Sequence, residues 1–416
     1  MGDRTVVVTG IGSVTAAGFT EDLWQAAVER RCCLERFTEG VFDGCPAEFV
    51  GRVNADIGDL FPRSMKRYVS RHALLGAAAL LACEEFSGVT KAEIEDAGLL
   101  FGSASQGQDQ MEQLAHELLE QPFGTVEYRR LDSASDAGAC HLIACAFGLR
   151  GHVHAVQGAS CSGMIALSTA CSLIKSGAAR RIFCVVGEGN LFPATMLFYS
   201  RRARIGGVAH SFFGSSRVTE LRQAASHVVP YCVPEISDRG SLGEAGAAVL
   251  LESRESAESR GARVLAILED AACHFYTENH HGRDSTMVGL KAALDSLSSR
   301  SFDSVYAPVT GSTILDFGLN SVCSERFAGT HTFTVEPLIG HTGAASSLLN
   351  TALAAMSLHH GLLLPTANLR HESLDASFRL SPSLEPVPIS GRRRILVVSS
   401  GWGGYNGACS LAATDR

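Results

Sequence analysis

Short β-branched runs alternate with alanine-rich helical stretches along the whole chain, which predicts an α/β protein with its sheets buried between helices. Glycine supports this reading, because its 42 residues gather at the ends of the periodic segments, where tight turns are needed. Size supports it too. A chain of 416 residues, 46% hydrophobic and 19% charged, can bury a large core and divides most naturally into two similar units. We set these as an N-terminal half over 1–253 and a C-terminal half over 254–416.

Taken in order, the β-branched runs predict strands at 5–9, 98–102, 181–187, 246–252, 263–269, 303–307, 331–335 and 394–399. Between them, helices are expected at 21–30, 67–86, 109–120, 162–177, 285–299 and 343–360. In the fourth of these, Met164, Leu167, Cys171 and Ile174 fall on one face. The stretch 200–245, rich in Arg, Ser and Gly, is the longest without a clear pattern and reads as a wrap over the surface or a site.

Composition excludes several classes. The net charge of -8 and the lack of a basic run argue against nucleic acid. No apolar run approaches the roughly 20 residues that span a bilayer, so no membrane is expected. The 13 cysteines are odd in number and scattered, with Cys32-Cys33 adjacent, which is no disulfide framework; no CxxC spacing suggests a metal. With no signal peptide ahead of Thr5-Val6-Val7-Val8, a reducing cytoplasm is the expected location. Gly10-Ile11-Gly12-Ser13-Val14-Thr15 invites a dinucleotide reading but fails the GxGxxG spacing at Thr15.

Three segments carry chemistry. Gly158-Ala159-Ser160-Cys161-Ser162-Gly163 lies where a strand ends and a helix begins, so Cys161 meets unpaired N–H groups and the positive end of a helix dipole. Both favour a nucleophilic thiolate, and the small neighbours admit a thioester. A buried structural cysteine is the bland reading of the same residue. Gly340-His341-Thr342-Gly343-Ala344-Ala345 opens another helix after a strand, and His341 there can donate a hydrogen bond to an oxyanion or accept a proton. The two strand-to-helix corners suggest a duplication that turns sulfur and imidazole toward one site. Finally, the run Ile395 to Val398 leads into Ser399-Ser400-Gly401-Trp402-Gly403-Gly404-Tyr405-Asn406, which would expose backbone N–H groups toward a ligand.

Together these segments resemble the β-ketoacyl synthase family of condensing enzymes over essentially the whole chain. Thr9-Gly10-Ile11-Gly12 with Gly18 is similar to the family's opening turn, and Cys161 stands at its acylated cysteine. Gly243-Glu244-Ala245-Gly246-Ala247, Arg260-Gly261-Ala262, Gly340 to Ala344, Pro365-Thr366-Ala367-Asn368-Leu369 and Gly401 to Asn406 resemble further family motifs in the right order. The resemblance implies a thiolase fold, duplicated halves in an α-β-α-β-α layering, and a dimer built on a sheet edge beside the nucleophile. It also implies Cys161 as acyl nucleophile and His341 as proton or oxyanion partner. The N–H groups of Cys161, Trp402 and Gly403 would form the oxyanion and channel region, and Thr310 and Ser312 would meet a pantetheine arm. No cofactor would be bound, since phosphopantetheine arrives on an acyl carrier protein, whose docking could use Arg201, Arg202 and Arg204.

Three positions depart from the family. Pro308 stands where its first active-site histidine is expected, with Asp316 eight residues on fixing the register. Glu336 replaces a lysine five residues before His341 and could pair with it, and Trp402 replaces a gating phenylalanine. The first expectation is therefore an acyltransferase of fatty acid or polyketide type, working with an acyl carrier protein, whose decarboxylative condensation is weakened. The alternative is a chain-length-factor-like subunit of a heterodimer, favoured by Pro308 and Trp402 and opposed by Cys161. A structural remnant ranks third. His359, His360 or the 200–245 stretch are the candidates to replace the lost histidine.

Overall fold

The computed structural model describes residues 4–37, 45, 47–57, 60–61, 63, 68–121, 129–201, 203–205, 208–215, 239–278, 286–369, 378–389 and 393–414. The N-terminal part supplies β1 (Val6–Thr15), α1 (Arg71–Ser87), β2 (Gly98–Gly102), α2 (Asp136–Phe147), β3 (Val153–Val156), α3 (Ser162–Ser176), β4 (Arg181–Glu188), α4 (Pro193–Tyr199) and β5 (Ala245–Ser253). The C-terminal part supplies β6 (Ala266–Phe275), α5 (Val288–Ser296), β7 (Ser304–Tyr306), α6 (Thr313–Arg326), β8 (His331–Phe333), α7 (Glu336–Ile339), α8 (Ala345–His360), β9 (Arg394–Gly401) and β10 (Tyr405–Ala412).

The sheet order shows the duplication. The first part reads β3-β2-β4-β5-β1 and the second β8-β7-β9-β10-β6, the same order of strands in each. In both, the strands nearest the Cys161 or His341 corner run parallel and the last two pairings are antiparallel. The parts join where β1 meets β6, at Val7↔Ile267 and Val8↔Ala266. β3 and β8 are equivalent, so Cys161 and His341 follow the same strand of their own repeat.

Side-chain alternation builds the layers. α3 and α8 share one core with Val6, Val8, Val249, Leu251, Ile395 and Val397, which is the central layer. α1 and α2 cover the outer face of the first sheet with Leu80, Phe101, Ile143 and Val185. α5 and α6 cover the second with Leu290, Leu319, Leu396 and Val398. The result is the expected thiolase-type layering of helix, sheet, helix, sheet, helix. No described helix is long and apolar enough to cross a membrane.

Most predicted elements are present, with shifted ends. β6 begins and finishes later than 263–269 suggested, and β10 was not anticipated. Its sequence Tyr-Asn-Gly-Ala-Cys-Ser-Leu-Ala has little β propensity, and the pairing with β9 and β6 on both sides overrides that. The helices α2 and α6 were also missed. α2 carries a small-residue surface rather than a broad apolar stripe.

Several family-like motifs turn out to serve one buried ion pair. Glu252 accepts from Arg260 Nη2 at 2.6 Å, from Arg181 Nε at 3.1 Å and from Thr9 Oγ1 at 2.6 Å. β1 at Thr9, β5 at Glu252 and the Arg260-Gly261-Ala262 turn are thus clasped together. Glu252→Ala leaves two largely buried guanidiniums without their carboxylate. A loss of about 3–5 kcal/mol is expected in denaturant titration, and a loss below about 1 kcal/mol would show that solvent replaces the clasp.

Candidate active site

The Cys161 corner is tight. Ala159–Cys161 forms a 3-10 turn after β3, and Cys161 caps α3 with its side chain free of any backbone cap. Ala159 adopts φ 50°, a left-handed conformation unusual for a residue with a Cβ and a mark of local strain. The Cys161 sulfur is fully buried. Its backbone N–H, expected to face an oxyanion, donates to Gly158 O at 2.9 Å.

The glycine-rich turn between β9 and β10 presses on this corner. A Cβ on Gly401 would lie 2.6 Å from Gly158 O and 3.0 Å from Cys161 N, so only glycine fits. Gly403 and Gly404 take φ of 96° and 90°, the left-handed region that lets the turn reverse. Trp402 packs edge-on to Phe198 at 5.7 Å, and the Arg201 guanidinium lies over both rings. Of the other basic candidates, Arg202 lies outside the described residues and Arg204 sits on a short strand, Ala203–Ile205.

The His341 corner is held by its backbone. His341 N–H donates to Ser241 O at 2.6 Å, and Gly243 N–H donates to His341 O at 2.9 Å. The ring packs against Tyr199 and Phe212, each 5.8 Å away, and Nδ1 has no partner among the described residues. Burial lowers its pKa to about 4, so the imidazole is neutral at ordinary pH and suited to donate a hydrogen bond. The corners touch. A Cβ on Gly163 in α3 would meet Ala344 O at 2.8 Å, and the Tyr199 ring rests on His341.

The Pro308 loop is pinned on both sides. Ala307 N–H and Val309 N–H are anchored to Phe333 O and Thr334 Oγ1 at 3.1 and 3.0 Å, which fixes the backbone on each side of Pro308. Asp316 accepts from Thr310 N, Thr310 Oγ1 and Gly311 N at 3.0, 2.8 and 2.7 Å. Ser312 donates to Ser211 O at 3.3 Å. Both hydroxyls expected to meet a pantetheine arm already have protein acceptors, so such a contact would require them to rotate. Glu336 does not pair with His341. It is fully buried, accepts from Thr334 Oγ1 at 2.5 Å, and burial raises its pKa. His360 stacks on Trp24 at 5.0 Å, at the far end of α8 from His341, which removes it from the site.

Sequence reasoning passed over Glu188, the last residue of β4. Its carboxylate accepts from Ala104 N, from Ser105 N and Oγ at 3.2 and 2.7 Å, and from Ala344 N at 3.2 Å. It thereby ties the loop after β2 to the start of the His341 helix. An acid closing the apolar strand Ile182 to Val186 was the available signal. Burial pushes it up to about 7 despite these four donors. The folded protein therefore holds a proton that the unfolded chain, near 4.5, has released, and the stability from this group is lost as pH rises through about 7. Comparing wild type with Glu188→Gln isolates the effect. Wild type should lead by a few kcal/mol more at pH 5 than at pH 8; a constant difference would mean that Glu188 ionises normally.

Solved structures share the fold. A type II PKS acyl-carrier protein in complex with its ketosynthase bound to the hexaketide contains a chain that superposes with a TM-score of 0.82 at 16% identity, over 99% of this chain and 100% of that one. The ishigamide ketosynthase/chain length factor gives 0.82 at 20% identity, covering both chains fully. These likenesses establish the thiolase-type condensing-enzyme fold. The sequence profile of the beta-ketoacyl synthase N-terminal domain matches residues 3–225. The chain belongs to the β-ketoacyl synthase family. Among its relatives is the actinorhodin polyketide putative beta-ketoacyl synthase 1 of Streptomyces coelicolor, 24% identical over 98% of this chain and 88% of that protein.

Proposed function

We propose that this protein is a ketosynthase-like acyltransferase of polyketide-type biosynthesis, which takes an acyl group from a carrier-protein thioester onto Cys161. The observation that carries this reading is the meeting of the two repeat-equivalent corners, Cys161 and His341, beneath the Gly401 turn. The Cys161 sulfur attacks the thioester carbonyl, the carrier thiol leaves, and the acyl group waits as a thioester on the enzyme. His341, neutral and desolvated, hydrogen-bonds the oxyanion. Transfer to a carrier-bound acceptor completes the cycle. The chain itself holds no cofactor in this scheme, the phosphopantetheine arm being part of the substrate. Exposed Arg201, stacked on Trp402, would meet its phosphate. The outermost strand β3 supports pairing with a second ketosynthase subunit, identical or related.

Pro308 favours a second reading, a chain-length-factor-like subunit that shapes an acyl channel for an active partner. Intact-protein mass spectrometry after incubation with acyl-carrier-protein thioesters separates the two. A covalent acyl adduct supports the first reading. No adduct, either alone or with a candidate partner synthase, supports the second.

Pro308→His tests how much of the decarboxylative chemistry one residue removed. Because the backbone around position 308 is anchored and proline donates no N–H there, an imidazole can be added without breaking a hydrogen bond. Malonyl-carrier-protein decarboxylation should rise by about 10²–10³-fold, the effect of one oxyanion donor. No gain in a variant of unchanged stability would show that Glu336 and its neighbours must change as well.

A further inference from the structure

We propose that Cys161 and Cys273 form a dithiol site at which a hydroperoxide converts the nucleophile reversibly into an intramolecular disulfide. Cys273 lies on β6, whose side chains alternate between layers. Ala271 and Cys273 pack into the central core with Cys161 and Met164, whereas Ala272 packs into the outer core of the second sheet. α3 crosses this strand, with Ser168 Oγ donating to Ala271 O at 3.1 Å. A Cβ on Gly407, the residue opposite Cys273, would lie 2.8 Å from Cys273 Sγ and 2.6 Å from Met164 Cγ. The Cys273 sulfur is therefore beneath the first turn of α3, where Cys161 begins. The two thiols pack against the same core, and both are free. The neighbouring Cys161 and burial together hold Cys273 in its protonated form.

The asymmetry suits the chemistry. Cys161 is fully buried and Cys273 is partly exposed, so a molecule as small as hydrogen peroxide would enter from the Cys273 side. The Cys161 sulfur attacks one peroxide oxygen, the O–O bond breaks, and a sulfenic acid and water form. The Cys273 sulfur then attacks the Cys161 sulfur, the S–O bond breaks, and a second water leaves with the Cys273 proton. Two thiols are oxidised and the peroxide is reduced by two electrons. Cys409, farther along the same core and 4.0 Å from Thr351 Oγ1, is not needed.

The test uses the full chain, exposed briefly to hydrogen peroxide, alkylated, digested and mapped by mass spectrometry. Wild type should yield a peptide pair joining Cys161 to Cys273, about 2 Da lighter than the two free thiols, which dithiothreitol separates. Cys409→Ser should keep the link. Cys273→Ser should lose it and carry Cys161 onward to sulfinic acid, about 32 Da heavier. If Cys273→Ser does not fold, Cys273→Ala replaces it, and the wild-type map decides by itself. A wild-type Cys161 that stays reduced, climbs to sulfinic acid, or links to another cysteine overturns the proposal. None of these readouts depends on acyl transfer, so the site stands or falls apart from the proposed activity.

Discussion

Cys161→Ala should abolish every acyl adduct that wild type forms with carrier-protein thioesters, while leaving the fold intact. Alanine has no nucleophile, and no other thiol can take over in place. Cys273 packs against the same core with its proton held, and its sulfur is the weaker nucleophile for it. The structural cost is small. One sulfur leaves a tightly packed site, so a loss on the order of 1–2 kcal/mol is expected, readable as a modest fall in Tm. An adduct of equal yield in the variant, mapped to another residue, would remove Cys161 from the mechanism. Adduct loss accompanied by unfolding would be resolved with Cys161→Ser, which keeps an atom at the sulfur position.

Gly401→Ala should be nearly as damaging, although it touches no reacting atom. The new Cβ would sit 2.6 Å from Gly158 O and 3.0 Å from Cys161 N, closer than real Cβ contacts allow. Both neighbours are backbone, so neither can swing aside as a side chain would. Either the β9–β10 turn lifts or the Cys161 corner moves. We expect a stability loss of about 1–3 kcal/mol and an acyl-loading rate lower by about 10²-fold or more, because small displacements of a nucleophile are costly. Gly261→Ala is the control. Its φ of 65° carries backbone strain of about 1–2 kcal/mol, but nothing lies within 4 Å and the site is remote, so loading should be unchanged. Equal loading by both variants would mean that the turn does not position Cys161.

The sequence made the fold and the two reactive corners legible for different reasons. Strands such as β4 and β9 are continuous apolar runs, and burial on both faces writes that directly into composition. The corners were legible because close backbone approach requires glycine at Gly163 and Gly401, and a left-handed φ of 54° requires it at Gly343. What the sequence hid was long-range. Glu188 and Glu336 look alike as lone acids, yet one gathers four donors from two distant segments and the other does not pair with the histidine it was expected to meet. The strand β10 is a product of its neighbours, and Cys273 becomes notable only when β6 is laid under α3. Tyr199, which packs on His341, comes from a helix too short to leave a periodic signal.

The shared central layer has a consequence for how the chain comes off the ribosome. All strands of the first repeat are complete by Ser253, but α8, which covers their inner face, is not made until nearly a hundred residues later. Until then Val249, Leu251 and the inner side of α3 face water. The first repeat must therefore wait, partly assembled, for its sibling to be synthesised, and the interval is when a newborn chain is most exposed to aggregation. Two repeats with the same plan have become one unit of folding, and neither can be handed over to the cell without the other.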